Sequence, residues 1–396
     1  MSIEGLNDML PQDQCTGCSA CAYACPQNSI TMKPDSKGFL RPSIDISICK
    51  KCNVCEKVCP AINPIAKYSL PNKVYAARSK IKDKRLNSTS GGIATVLAET
   101  YIQNGGIVYG AAFDANLTVK HIRVTDVKGV KEIQGSKYVQ SDVQQIYIEI
   151  KQDLQAGNNV LVFGTPCQIS ALRRVFGNQD KLLLCDLICH SAPSPKLFAD
   201  HICAIEADGK KVVDYRFRDK TFGWSYNLNR ILYQDGSEEL HSYWNQCYKR
   251  LFLLNLIGRE SCYSCPYADC RRVGDITLGD YWGIDKVTDQ FFDDEGVNVV
   301  LINTEKAVVA FETFLRQKTE YIETTLEDAL QMHLIMPCEK TALVDSFWLF
   351  YQRTSYLSAA ERFAGEYHYL TLRNRLKDIL RKYRVLGRIR KQGKNL

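Results

Sequence analysis

No stretch of this 396-residue chain approaches the roughly 18 consecutive apolar residues of a membrane-spanning helix. Its opening residues, MSIEGLNDML, lack the basic stretch and apolar core of a secretory signal, so a cytoplasmic location is expected. G-x-x-x-x-G-K-[ST] is absent and no G-x-G-x-x-G follows a strand pattern, which removes a triphosphate-cradling loop and a standard nicotinamide site from the reading. Histidine is scarce and scattered, at six residues. His190, beside Cys189, reads as a positioned polar neighbour rather than a metal ligand or general base. Net positive charge is missing from the body of the chain: residues 371–396 carry +9 against a net +7 for the whole, which leaves the rest at −2. That balance speaks against a nucleic-acid-binding core and confines any attraction for anionic surfaces to the tail.

Cysteine is what the chain has in excess, with seventeen. In a long chain expected in a reducing compartment, thiols bind metal rather than pair as disulfides. The segments CTGCSACAYACP (15–26) and CKKCNVCEKVCP (49–60) both read C-x2-C-x2-C-x3-C-P. In that run three close thiolates hold one [4Fe-4S] cube and the fourth reaches across to the other. One cluster therefore takes Cys15, Cys18, Cys21 and Cys59, the other Cys49, Cys52, Cys55 and Cys25. Zinc needs only four ligands and leaves the double repeat unexplained. Such a pair of clusters passes electrons singly and performs no chemistry alone, so the chemistry must lie downstream. There Cys167 in GTPCQ, Cys189 in LICHSAPS, and Cys262, Cys265 and Cys270 in SCYSCPYADC make a third metal site, among which spacing does not choose four ligands. Cys185, Cys203, Cys247 and Cys338 sit singly in apolar or helical surroundings and read as core.

The fold class expected is an α+β ferredoxin module over 1–65, a linker over 66–73, an α/β domain with a mixed sheet over 74–345, and a helical basic extension over 346–396. Between the cysteine motifs, two short strands flank the turn PDSKG. After Pro71, strands and helices alternate: VYAA, a helix over 92–103, IVYGAAF, a helix over 142–156, NVLVF, a helix opening near Cys167, LLLCDLI, and a helix after Pro195. The hairpin NRILYQDGSEELHSYW is expected to add antiparallel strands to that sheet. In the tail, Leu372, Leu376, Ile379, Tyr383 and Leu386 recur at helical spacing among basic residues, the pattern of a helix that docks on the body or makes weak contact with an anionic membrane or acidic partner. Ser88, Thr89, Ser90, Gly91 and Gly92 precede a helix whose free N–H groups suit a pyrophosphate, and GTPCQ repeats that turn.

STSGGIATVLAETYIQNGGIVYGAAFD, GSKYVQS, GTPCQISALRR, LICHSAPSP, CYSCPY and GDITLGDYWG, in this order behind a double ferredoxin motif, resemble the family of coenzyme F₄₂₀ hydrogenase/dehydrogenase beta subunits over roughly residues 5–305. The resemblance implies a flavin-dependent iron–sulfur oxidoreductase, with FAD around Ser90, Gly91, Gly92, Lys137, Tyr138, Gly164 and Thr165. It also implies a third [4Fe-4S] cluster on Cys167, Cys189, Cys262 and Cys265, with Cys270 as an extra. The expected partner is a redox protein or small redox carrier, and no nucleic acid. Family members use several acceptors, so the deazaflavin substrate does not follow. The competing readings are a non-catalytic electron-transfer component and a protein in which the clusters are only supports.

Overall fold

The computed structural model describes residues 13–364, except 208, 227, 241 and 289. The amphipathic helix expected over 371–396 lies outside the described residues. In the N-terminal part, each cysteine motif closes with a five-residue helix, Ala20–Ala24 and Val54–Val58. Between them lies an antiparallel ribbon of β1 (Ile30–Pro34) and β2 (Leu40–Ile44). The two motifs share their backbone: Gly17 and Lys51, then Ser19 and Asn53, all take positive φ, at 70°, 49°, 64° and 58°. Left-handed residues reverse the chain locally, which is how closely spaced cysteines come to face one point. Residues 61–72, with Pro64 and Pro71, hold no helix or strand.

The strands that follow are β3 (Lys73–Ser79), β4 (Ile107–Phe113), β5 (Val119–Val124), β6 (Val160–Gly164), β7 (Leu182–Leu187), β8 (Val212–Asp219), β9 (Leu228–Tyr233), β10 (Glu238–Leu240), β11 (Ile276–Asp280), β12 (Asn298–Ile302) and β13 (Thr319–Thr324). Eight of them form one sheet in the order β13-β3-β12-β11-β7-β6-β4-β5. β4, β6, β7 and β11 are parallel, and antiparallel strands complete both sides. The sheet is mixed as expected, but not through the NRILY hairpin. β8, β9 and β10 form a separate three-stranded sheet, on which the helices Pro195–Ile205, Tyr243–Leu253, Leu343–Arg353 and Tyr356–Ala364 build their own apolar core.

VLVFG in β6 is buried along its whole length because helices cover both faces of the parallel centre. Leu161 and Phe163 face the helix Ile93–Gln103, while Val160 and Val162 face Gln144–Gln155 and Pro166–Phe176. Two buried carboxylates fasten the centre. Asp186 accepts from Gly274 N (2.9 Å) and from the buried Arg272 guanidinium (3.3 Å), and Asp275 accepts from Leu184 N (2.9 Å). The parallel strands β6 and β7 thus deliver Thr165–Cys167 and Cys189 to one carboxyl edge, where sites of α/β sheets form.

Candidate functional site

The thiols of Cys15, Cys18, Cys21 and Cys59 line one small cavity. Burial pushes the Cys18 thiol up to about 12, and the neighbouring Cys59 and Cys15 add to it. Cys25 and Cys55 share a second apolar cluster with Ile30 and Ile44. Burial would raise Cys25, but hydrogen bonds from the Ser29 hydroxyl (3.1 Å) and N–H (3.3 Å) outweigh it and hold the thiol below its ordinary value. Cys49 is half-buried and Cys52 is exposed. The two sets are therefore unequal: one is sealed against the body, the other opens to solvent among the exposed Lys50, Lys51, Lys57, Ile46 and Ile48.

Among the described residues no three His, Cys, Asp or Glu side chains crowd closely enough to share a single metal ion. Thiolates on one zinc would stand about 4 Å apart, given a Zn–S distance near ~2.3 Å. Four soft sulfur donors lining one cavity, as Cys15, Cys18, Cys21 and Cys59 do, suit the corners of a four-iron cube.

At the sheet edge, Cys189 is half-buried with its thiol pushed well up, first by burial and then by Cys262, Cys167, Cys265 and Cys338. Cys167 rises to about 11 by burial, eased by the Thr165 hydroxyl at 3.2 Å and raised again by Cys265. Cys338, expected in the core, is buried but belongs to this group: it is raised to about 11 by burial and then Cys265, and its thiol approaches Cys262 O at 3.6 Å. Cys270 turns away and donates to Leu334 O at 3.3 Å. Of the other single cysteines, Cys185 and Cys247 are buried, whereas Cys203 is exposed on the helix Pro195–Ile205, because that helix presents its opposite face to the core. His190 has both ring nitrogens engaged, by His333 at 2.8 Å and Asn255 at 2.7 Å.

The sealed thiol set and the sheet-edge group adjoin. Tyr147 donates to Cys18 O at 2.9 Å and feels the charges of Cys18, Cys21 and Cys167. Tyr267 feels Cys167, Cys18 and Cys265. Arg259 runs between them, donating to Cys15 O at 2.6 Å. On the other side, aromatic contacts continue from Cys189 through its neighbour His190 to Phe252 (4.6 Å between centroids), Tyr138 (4.9 Å) and Phe217 (5.4 Å).

Phe217 lines a cleft of about 410 Å³ between the carboxyl end of β4 and β8, together with Ser88, Thr89, Ser136, Lys137, Arg216 and Arg218. Lys137 donates to Glu132 O and Gln134 O, both at 2.9 Å, and burial lowers its ammonium to about 7. Ser90, Gly91 and Gly92 follow Ser88 and Thr89 in the chain but do not line this cleft. Ser90 donates to Val297 O at 2.8 Å, Gly92 starts its helix at φ 82°, and a Cβ on Gly91 would meet Ala77 O at 2.7 Å and Asn298 N at 2.9 Å. Asn298 Oδ1 already accepts from Ile93 N at 3.2 Å. Gly164 and Thr165 stand apart, with Cys167, and Thr165 closes a capping box with Gln168. The residues around the cleft suit a phosphate-bearing cofactor through hydroxyls and cations, rather than through the two helix starts.

This architecture defines an iron–sulfur electron-transfer protein: a two-cluster module seated on an α/β sheet whose carboxyl edge gathers further cysteines. Residues 14–62 match the 4Fe-4S dicluster domain, and 157–328 match the family described as the C terminus of the coenzyme F₄₂₀ hydrogenase/dehydrogenase beta subunit. Residues 157–328 thus carry the C-terminal domain of that family, behind a 4Fe-4S dicluster domain. It is similar to the F component of the F(420)H(2) dehydrogenase of Methanosarcina mazei, 22% identical over 295 residues, covering 69% of this chain and 79% of that one. An uncharacterized protein of Methanocaldococcus jannaschii is 24% identical over 43% of this chain and 55% of its own length. A solved structure, the F₄₂₀-reducing [NiFe] hydrogenase complex from Methanosarcina barkeri derivatized with xenon, aligns over 75% of this chain and 91% of that one at 18% identity and a TM-score of 0.45.

Glycine spacing and cysteine spacing pointed toward these regions; Gln140 and Tyr267 fall inside GSKYVQS and CYSCPY but were not singled out there, while Arg259 and Tyr147 carried no motif. Cys338 had only its residue type. The one available signal was Gly17: the first motif reads CTGC where the second reads CKKC.

Proposed function

We propose that this chain is an FAD-dependent iron–sulfur oxidoreductase that passes electrons between a one-electron partner and a two-electron carrier or substrate. In this reading Cys15, Cys18, Cys21 and Cys59 hold an inner cluster, and Cys49, Cys52, Cys55 and Cys25 an outer one. A third is held by Cys167, Cys189, Cys262 and Cys265. The observation that carries the reading is the line of buried and half-buried groups from the inner cysteines, past Tyr147 and Tyr267, to the sheet-edge cysteines and on through His190, Phe252, Tyr138 and Phe217 to the cleft. Ser88, Thr89, Ser136, Lys137 and Arg216 would hold FAD in that cleft. FAD supplies the conversion between one-electron and two-electron transfer when bound. The chain's own part is to bind phosphate through Lys137, to seal the inner sulfur group from water, and to keep each redox group close to the next.

Iron and flavin quantification of an anaerobic preparation tests this, with about twelve irons and one FAD expected per chain. Turnover of the isolated chain with artificial acceptors then separates an enzyme from a component that only delivers electrons. Flavin-free protein with no turnover refutes the proposal.

A further inference from the structure

Arg259 is 1% exposed and sits where the N-terminal cysteine module meets the α/β body. Its Nε donates to Cys15 O at 2.6 Å, Nη1 to Gln140 Oε1 at 3.1 Å, and Nη2 to Leu40 O at 2.9 Å and to Cys15 Sγ at 3.5 Å. The ring of Phe39 lies 5.4 Å from the guanidinium carbon. Burial lowers the Arg259 guanidinium; of the charges acting on it the sulfur of Cys15 is the strongest, then Arg41 in opposition, then the sulfur of Cys262, and Arg259 acts in turn on Cys167. One buried cation thus spans two thiol groups. A guanidinium cannot shed its proton, so burial requires compensating negative charge. Neutral thiols compensate it poorly. A thiolate-bound cube supplies negative charge, and supplies more when reduced.

The repeat makes the arrangement one-sided. Gly17 leaves room for Arg259, since a Cβ there would lie 2.8 Å from Nη1. The matching position in the second motif is Lys51, exposed on the solvent side.

We propose that Arg259 raises the reduction potential of the inner cluster above that of the outer one, so that an electron arriving at the outer cluster settles at the junction with the sheet-edge cysteines. In that step the outer cluster is oxidised by one electron and the inner is reduced by one, with no proton moved. Arg259 is a positioning residue: it acts through the cluster and touches no substrate. The inference rests on the cluster assignment above, and for its destination on the third site.

The test is spectroelectrochemistry with electron paramagnetic resonance on the full chain, comparing wild type, Arg259→Gln and Arg259→Lys, with iron counted in each. Arg259→Gln is expected to make one midpoint more negative by at least tenfold in the reduction equilibrium, about 59 mV for one electron. The other midpoint of the N-terminal module and the iron content should hold. Arg259→Lys keeps the charge and should recover most of the shift. Unchanged midpoints in Arg259→Gln overturn the proposal, and so does equal loss of iron from both variants, which would make the residue only a strut. A wild-type count of about eight irons removes the third cluster, yet leaves the inner potential to be read.

Discussion

Replacing Gly17 with alanine should damage the molecule far more than any change at the equivalent Lys51, although both occupy the same place in a repeated motif. Gly17 has φ 70°, which costs a residue with a Cβ about 1–2 kcal/mol. The added methyl would also lie 2.8 Å from both Arg259 Nη1 and Leu40 O, and closer still to the Gln140 amide. Leu40 O is backbone and the other two groups are held by hydrogen bonds, so the contact is not relieved by rotating a side chain; overpacking of this kind costs about 1–3 kcal/mol. Together the loss is about 2–5 kcal/mol, a large share of a typical folding stability of about 5–15 kcal/mol. Lys51 already has a Cβ at φ 49° and is exposed, so Lys51→Ala should change stability by less than about 0.5 kcal/mol. The assay is anaerobic chemical denaturation of the cluster-loaded chain, followed by cluster absorbance and by iron retained after desalting. Equal midpoints for Gly17→Ala and wild type would refute the reasoning, as would equal damage from Lys51→Ala.

At the sheet edge, Cys262→Ser should lose about four irons while Cys338→Ala keeps them, because four of the five grouped thiols suffice for a cube; iron analysis decides, and the reverse result makes Cys338 the ligand. Asp186→Ala leaves the buried Arg272 guanidinium without its carboxylate and should cost about 3–5 kcal/mol in denaturation. Lys137 falls from an ordinary 10.5 to about 7 in the folded chain, so the folded state binds fewer protons than the unfolded state between those values. Stability should therefore rise with pH across that window, and less so in Lys137→Met. Because the charged ammonium is the form that attracts phosphate, flavin or phosphate affinity should weaken as pH climbs through about 7, an effect that titration calorimetry of the same variant should lose.

The parallel centre was legible because runs such as NVLVF and LLLCDLI have no alternation to mistake, and Gly105–Gly106 end a helix visibly. The NRILY hairpin was legible as a hairpin, but its sheet was not: partner choice depends on the helices that cover β8 and β9, which local pattern does not encode. Cysteine spacing grouped the eight N-terminal thiols because all of them fall within short stretches of chain. It missed Cys338, whose neighbours Cys262 and Cys265 are more than seventy residues away in sequence and meet it only through the fold. Gly91 read as a phosphate contact, yet the backbone of Ala77 and Asn298 explains its lack of a side chain. A substitution there tests packing before it tests flavin.

The exposure of Cys52 beside the sealed Cys15, Cys21 and Cys59 has a bearing on survival in air. Oxidants and chelators arrive from solvent, so with the ligand sets proposed here the outer cube decays first while the inner one stays shielded behind Phe39, Arg259 and the body of the protein. Damaged molecules would then keep the junction and the cleft but lose the outer cluster. If a protein partner delivers its electrons there, such a preparation would still react with small dyes and fail with that partner, a defect that resembles poor affinity and is missing iron.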